Sequence, residues 1–337
     1  MGRCQISVVI PLHDEADNVK ELYDRLTAAL EGLGRTHEVI FVDDGSRDLT
    51  FQRLGELQAG DPRVHVLRLR RNFGQTAALA AGFDFAEGDV VVAMDGDLQH
   101  LPEDIPKLLA KIDEGYDIAS GWRAQRVDHL LLRRLPSLVA NRLMAWLSGI
   151  PMRDFGSTFK AYRREVIQGT ELYGELHRFI PALASWQGVS IVEVPIANVP
   201  RRRGASKYGL SRTVRVLFDL LTVKFLIHYL ERPLQFFGLW GSAFCGAGFA
   251  ILAAVTLWKV VYGVSIYDYL GSLLLGMLLM IVGIQIVAVG LSTEVSTRIY
   301  HTVRHRRIYV IREVRSARRR PETGAGDAPG PRGAPPT

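Results

Sequence analysis

In the stretch AMDGDLQH, Asp95 and Asp97 stand one residue apart directly after an apolar run. Two carboxylates so placed at a strand end can offer oxygen to a nucleotide ribose and to a hard divalent cation, which prefers oxygen ligands and keeps several waters. A lone Asp-x-Asp is more commonly a solvated acidic turn, and Gln99 stands where a phosphatase-type motif needs Thr or Val. Company changes that balance. The first apolar run of the chain leads into Pro11-Leu12-His13-Asp14-Glu15 and the second into Asp43-Asp44-Gly45-Ser46. Acidic ends gathered on one rim repel one another unless a cation or a donor-rich ligand sits between them.

The elements that must gather them show as alternation. Short Val- and Ile-rich runs at 6–11, 38–44, 64–69 and 90–95 are separated by helix-like segments at Asp17–Gly32, Asp48–Ala59, Gln75–Ala86 and Pro102–Gly115. Strands alternating with helices predict an α/β fold whose mostly parallel sheet is covered on both faces, and ligands of such sheets bind beyond the carboxyl ends of the strands. Asn72 and Gln75, beside Gly74, read as a turn and a helix start. No G-x-G-x-x-G follows the first strand, and no Walker A, H-E-x-x-H or G-x-S-x-G pattern occurs. Dinucleotide, P-loop, zinc-protease and serine-hydrolase chemistry are set aside accordingly.

Charge is divided unevenly along the 337 residues. The formal net charge of +6 combines residues 1–200, with 22 Lys or Arg against 28 Asp or Glu, and residues 201–320, where 18 basic side chains face 5 acidic ones. A nucleic-acid coat carries its excess on the domain that grips phosphates, and here that part is acidic, so no nucleic acid is expected as a partner. With 48% hydrophobic residues, two Cys and no glycine period, disordered, collagenous and disulfide-stapled classes are excluded as well. Cys4 and Cys245 stand in unlike surroundings and read as separate buried thiols. The N-terminus lacks a secretory cleavage pattern, and Ile6 stands where a myristoylation motif needs Ser or Thr.

The basic third holds two uncharged stretches, Pro233–Trp258 and Tyr269–Thr293. At about 1.5 Å per residue each can cross a hydrocarbon core roughly 30 Å thick. Gly238, Gly241, Gly246 and Gly248 in one, and Gly271, Gly276, Gly283 and Gly290 in the other, suit close helix contact. Lys and Arg crowd both outer flanks while the link between the spans carries one Lys and one Asp, so the positive-inside rule places the flanks and the N-terminal region in the cytoplasm. Before the first span, Arg212, Arg215, Asp219 and Thr222 form one polar stripe on an apolar helix pattern, as expected of a segment lying at the bilayer interface. The basic flanks are suited to anionic lipid, and the Pro/Gly-rich end to disorder.

Seven ordered motifs resemble the family 2 inverting glycosyltransferases of GT-A fold, in particular their polyprenyl- or dolichol-phosphate hexosyltransferase branch: IPLHDEADN, FVDDGSRDLT, RNFGQTAALAAG, AMDGDLQHLPEDI, SGWR, DFGSTFKAYRREVI and RRRGASKYG. TRIYHTVRHRRIYVIREV, after the second span, resembles the tail of the two-span bacterial polyprenyl-phosphate glucosyltransferases. The resemblance implies a cytoplasmic GT-A domain over 1–209, an interfacial region over 210–232, two spans within 233–293 (233–258 and 269–293), a basic cytoplasmic segment over 294–320 and a disordered tail over 321–337. Such a chain is an integral membrane protein, of the plasma membrane in a bacterium.

Carried over position by position, the resemblance implies that Pro11, His13, Glu15, Val42 and Asp44 line the nucleotide base and ribose, with Asp43 either contributing or only bracing the turn. Asp95, Gly96, Asp97 and Gln99 match the nucleotide and metal motif, Asp97 and Gln99 being the direct ligands of Mg2+ or Mn2+ with Asp95 beside them. Arg201 and Lys207 match a loop that closes over the diphosphate, and Arg178 is a further candidate for that pocket. Arg123, Arg133 and Ser137 match the set that holds the acceptor phosphate, and Asp154 a position for sugar or acceptor. Asp97, Asp154, Arg123 and Lys207 form the implied catalytic set. His13 and Asp14 stand where the family has Tyr and Asn, which weakens base stacking at residue 13.

The implied reaction passes a hexose from UDP-glucose or a related UDP-sugar to polyprenyl phosphate, with GDP-mannose as the alternative donor. A processive polysaccharide synthase would bring Q-x-x-R-W and more spans, and neither is present. A non-catalytic membrane adaptor has no need of Asp95, Asp97, Gln99 and Lys207 together. The glycine-lined spans and basic C-terminal arm suit a homo-oligomer.

Overall fold

The structure is a computed structural model that describes residues 4–123, 150–168, 180–185, 188–197, 233–263, 265–302 and 308–318, with 142, 145 and 199. It divides into a sheet unit, which takes in the described residues up to 123, those from 152 to 199 and 308–318, and a helical unit containing 233–302.

In the sheet unit, β1 (Ile6–Leu12), β2 (His37–Asp43), β3 (Val64–Leu69) and β4 (Val90–Ala93) are all parallel neighbours in the order β4-β1-β2-β3. Their crossovers are α1 (Val19–Glu31), α2 (Thr50–Gly60) and α3 (Gln75–Phe85), and α4 (Ile105–Asp113) follows β4 after one 3-10 turn. Both faces of the sheet are covered, as near-continuous apolar strands require. Ile6, Val8 and Ile10 pack with Leu22, Leu26 and Leu108 on one side, while Val9, Ile40 and Val42 pack with Ala78, Leu79 and Ala81 on the other.

Three strands that the alternation did not announce extend the sheet: β5 (Ile118–Arg123), β6 (Lys160–Arg163) and β7 (Ile191–Ile196), with α5 (Arg164–Gln168) and α6 (Ile180–Ser185) between β6 and β7. β6 runs antiparallel to both β4 and β5, and β7 lies parallel to β5 at the edge.

The opposite edge corrects an expectation. Within 294–320, read as a basic stretch for lipid, β8 (Ile311–Arg315) pairs antiparallel with β3. Two cations of this stretch, Arg315 and Arg318, have protein partners. The Arg315 guanidinium lies 4.4 Å from the Phe51 ring centroid, and Arg68 lies 4.3 Å from the same ring. Tyr309 donates to Asp84 at 2.5 Å, and Ser316 Oγ lies 2.8 Å from His65 Nδ1. Arg318 pairs with Glu87 at 3.0 Å and with Glu38, which is 2% exposed and also accepts from Ser7 Oγ at 2.5 Å and Glu87 N at 2.9 Å.

Burial pushes the Glu38 carboxyl up, but hydrogen bonds from His65, Ser7 and the Glu87 N–H, with the Arg318 charge, prevail and hold it below its ordinary 4.5. A carboxylate that protonates less readily in the fold stabilises fully above its unfolded pKa and loses that contribution as pH falls through the folded value. Thermal unfolding of wild type and Glu38→Gln from about pH 7 to about pH 3 should show a gap that closes with acid. A constant gap would remove ionisation from the role of Glu38.

The helical unit is a pair, α7 (Pro233–Tyr262) and α8 (Leu270–Thr302), each running past the expected C-terminal end of its span. Contacts in reversed order make it antiparallel: a Cβ on Gly241 would lie 2.7 Å from Gly283 O, and one on Gly248 2.6 Å from Gly276 O. Gly290 faces Phe237 in the same seam, whereas Gly238, Gly246 and Gly271 look into open space. Leu239, Trp240, Phe249 and Val260 are exposed on the outside, and both helices are long and apolar enough to cross a membrane. A core helix of a soluble protein would bury such faces. Cys4 and Cys245 are both free and half-buried rather than fully enclosed. The expected interfacial region 210–232 and the tail 321–337 lie outside the described residues.

Candidate active site

Parallel register sets Leu12 level with Asp43 and Val9 level with Ala93, so the loops after β1, β2 and β4 open on one edge. Pro11 and Val42 are register partners just inside it. The first two loops are stitched together: Asp14 N donates to Ser46 Oγ at 3.0 Å, Glu15 N to Thr50 Oγ1 at 2.9 Å, and Arg47 N to Asp14 Oδ1 at 2.8 Å. This holds Asp14 in the left-handed region at φ 55 and fixes its neighbours His13 and Glu15. His13 Nε2 lies 3.4 Å from Asp14 Oδ2, while its buried Nδ1 has no hydrogen-bond partner among the described residues. Glu15 accepts from Asn18 Nδ2 at 2.6 Å.

The adjacent acids after β2 take different work. Asp43 is fully buried, accepts from Ser46 N at 3.0 Å and faces Arg68 Nε at 3.3 Å, the arrangement of a brace for the turn. Asp44 reaches across to the loop after β3, accepting from Phe73 N at 2.7 Å and Gly74 N at 2.9 Å. Burial raises its pKa despite those two N–H groups. The two loops meet at Gly45, which has φ 68 and where a Cβ would stand 2.5 Å from the Arg71 carbonyl carbon. Only glycine meets both conditions.

After β4, Asp95 Oδ1 accepts from Gln75 Nε2 at 2.6 Å, and the same amide reaches Thr158 Oγ1 at 3.3 Å. Gln75, read as a mere helix start, is thus part of the site. Gly96 is pressed on β1, where a Cβ would fall 2.1 Å from Leu12 Cδ2. Leu98 turns back with φ 60, which lets Gln99 N donate to Asp97 Oδ1 at 3.1 Å, and Gln99 O accepts from Val199 N at 3.1 Å. His100, which the sequence reading passed over, is buried, stacks on Phe159 at 5.5 Å and sets Nδ1 3.9 Å from Asp95 Oδ2. Burial, followed by the Arg123 charge, pushes its pKa down to about 4, so the ring is neutral at pH 7.

Arg123 ends β5 and meets Asp154 in a two-point pair, Nε–Oδ2 2.8 Å and Nη2–Oδ1 3.0 Å. Asp154 also accepts from Gly156 N at 3.1 Å. Arg123, expected at the acceptor phosphate, and Asp154, expected at the sugar or acceptor, are thus one unit. Bidentate pairing of this kind fixes direction as well as distance. Arg133, Ser137, Arg178, Arg201 and Lys207 lie outside the described residues.

Among the described residues no three His, Cys, Asp or Glu side chains cluster as a complete metal cage. Asp95, Asp97 and Gln99 offer oxygen only. Magnesium-type ions are commonly held by one or two carboxylates with substrate phosphates completing the shell, and this donor set suits such an ion.

A parallel core sheet with an acidic carboxyl edge, extended by the reversed strand β6, defines a glycosyltransferase of GT-A architecture. The chain belongs to glycosyl transferase family 2, whose profile matches residues 7–170. It is 36% identical over 314 residues to a dodecaprenyl-phosphate galacturonate synthase of Rhizobium johnstonii, covering 92% of this chain and 93% of that one. It is 37% identical over 312 residues to an undecaprenyl-phosphate 4-deoxy-4-formamido-L-arabinose transferase of an Enterobacter species, with the same coverage of each. Among solved structures, glucosyl-3-phosphoglycerate synthase from Mycobacterium tuberculosis, in complex with Mn2+, UDP and glucosyl-3-phosphoglycerate, superposes with a TM-score of 0.52 at 22% identity. The match covers 67% of this chain and 80% of that one and shares the fold.

Proposed function

We propose that this chain transfers a sugar from a nucleoside diphosphate to a polyprenyl phosphate at a membrane surface, inverting the anomeric configuration. The observation that carries this reading is the acidic carboxyl edge in a chain that continues into two outward-apolar helices. Relatives named for polyprenyl-phosphate sugar transfer, aligned over more than nine-tenths of the chain, support it. So does β8, which follows α8 in the chain and pairs with β3, as expected of a chain that crosses a bilayer twice and returns to its starting side. The basic flanks favour the cytoplasmic side.

In this reading Pro11, His13, Glu15, Val42 and Asp44 form the nucleotide edge, with Arg178, Arg201 and Lys207 for the diphosphate. Asp95, Asp97 and Gln99 would hold Mg2+ or Mn2+; the mycobacterial enzyme of the same fold is a complex with Mn2+ and UDP. Bound there, the ion supplies Lewis-acid stabilisation of the charge that develops on the diphosphate. Arg123, steadied by Asp154, takes the acceptor phosphate with Arg133 and Ser137. A phosphate oxygen attacks the anomeric carbon, the bond from that carbon to the diphosphate breaks, and the nucleoside diphosphate leaves with the electron pair. The attacking group is already anionic, so orientation matters more than a strong base.

The donor we favour is a UDP-sugar, UDP-glucose or a related one. The relatives' galacturonate and formamido-arabinose make sugars other than glucose part of the test. The full chain in detergent, given polyprenyl phosphate, Mg2+ or Mn2+, and in turn UDP-glucose, UDP-galacturonate, the UDP-linked formamido-arabinose and GDP-mannose, should yield a lipid-linked monosaccharide from a UDP-sugar and none with a chelator. Polymer, or no product from any donor, would overturn the reading; product from GDP-mannose alone would overturn the nucleotide.

A further inference from the structure

The turn that carries Asp154 is gripped from the two strands that flank β5 by buried or half-buried charges to which the motif reading gave no role. On β7, Glu193 Oε1 accepts from the backbone N–H of Arg153 at 2.8 Å and of Asp154 at 3.2 Å. At the first position of β6, Lys160 donates its ammonium to the carbonyls of Phe155, at 3.4 Å, and of Ser157. A carboxylate thus closes the N–H side of the turn and an ammonium its C=O side. The two belong to one row across the sheet, because Ser120 of β5 is the register partner of both Lys160 and Glu193. That row lies three residues before Arg123.

Lys160 is 0% exposed, and its strand neighbours Ala161 and Tyr162 are buried too. Enclosing an ammonium is costly unless its hydrogen bonds are met, so an apolar residue would serve packing at least as well. What the ammonium adds is a fixed path for residues 155–157. Glu193 does the same for 153–154. Asp154 spends both oxygens on Arg123, so the path of this turn sets where the guanidinium points.

We propose that Glu193 and Lys160 are positioning residues for the reaction proposed above, a two-sided clamp that aims the Arg123–Asp154 pair at the acceptor phosphate. The inference rests on the acceptor role proposed above for that pair. A displacement of about 1 Å at a reacting group costs on the order of 100-fold in rate, so a clamp that neither touches substrate nor moves a proton still governs turnover.

The test is initial-rate kinetics of the full chain with lipid phosphate and nucleotide sugar varied separately, beside calorimetric affinity for UDP. Glu193→Ala and Lys160→Met should raise KM for polyprenyl phosphate about tenfold or more while KM for the nucleotide sugar and UDP affinity stay within about twofold. Glu193→Gln keeps an amide oxygen for both N–H groups and should recover most of the loss. Lys160→Met counts when its thermal unfolding is cooperative; Glu193, half-exposed on an edge strand, carries the test without it. If Arg123→Ala raises the acceptor KM and Glu193→Ala does not, or if Glu193→Ala raises both KM values alike, the clamp is overturned. If Arg123→Ala leaves the acceptor KM unmoved, the acceptor reading of the pair falls, and the clamp's purpose with it.

Discussion

Asp97→Asn is expected to lower sugar transfer by about 100- to 1,000-fold, the range seen when one preorganised electrostatic group is removed from a reacting centre. The substitution keeps the side chain's shape and an oxygen able to accept from Gln99 N, so the turn through Leu98 should persist. What disappears is one negative charge and one hard oxygen on the rim proposed to meet the metal and the diphosphate. Rates measured across a titration of Mg2+ and of Mn2+ should fall at every concentration, with an unchanged thermal midpoint and unchanged extraction from membranes. Wild-type turnover in this variant would remove Asp97 from the metal role. Asp95→Asn should cost less, since the Gln75 amide already satisfies one Asp95 oxygen.

How much of this site the sequence disclosed depended on whether a residue's partner was local. β1 to β4 were legible because their Val- and Ile-rich runs alternate with helical periodicity, and β1, β2 and β4 end in acidic turns. β5 and β6 were not: one contains Ser120 and Gly121, the other is four residues long, and the reversed direction of β6 breaks the alternation. β8 reads as a basic flank because an edge strand leaves part of each residue in water, and Arg312, Glu313 and Arg315 fill such positions. In the spans, spacing found glycines that suit a seam but could not say that Gly238, Gly246 and Gly271 would turn away from it.

The same distinction runs through the polar residues. Asp95 and Asp97 announce themselves by type and spacing. Gln75 and His100 do not, because Gln75 meets Asp95 from 20 residues away and His100 acquires its character from enclosure beside Phe159. Asp43 and Asp44 are adjacent carboxylates with opposite fates, one turned to Arg68 and one to the loop at Phe73, and nothing in the pair of letters separates them. The overall +6 is also less simply divided than a catalytic half and a membrane half. Arg315 and Arg318, counted with the membrane flank, are spent on Phe51, Glu38 and Glu87 of the sheet unit.

Asp154→Ala should damage both stability and transfer, and the way the losses combine reveals how Asp154 acts. Its side chain is 4% exposed and that of Arg123 is 21% exposed. Removing the carboxylate therefore strands a guanidinium that water only partly reaches, and a loss of about 1–3 kcal/mol is expected, below the ~3–5 kcal/mol of a fully enclosed pair. Transfer should fall about 100-fold because Arg123 is no longer aimed. A double-mutant cycle separates aiming from direct contact. If Asp154 works through Arg123, then Arg123→Ala combined with Asp154→Ala should transfer sugar no more slowly than Arg123→Ala alone. Rate losses that multiply would mean instead that Asp154 meets the substrate itself. Because the carboxylate already gives both oxygens to the guanidinium and one of them to Gly156 N, the non-multiplying outcome is the expected one.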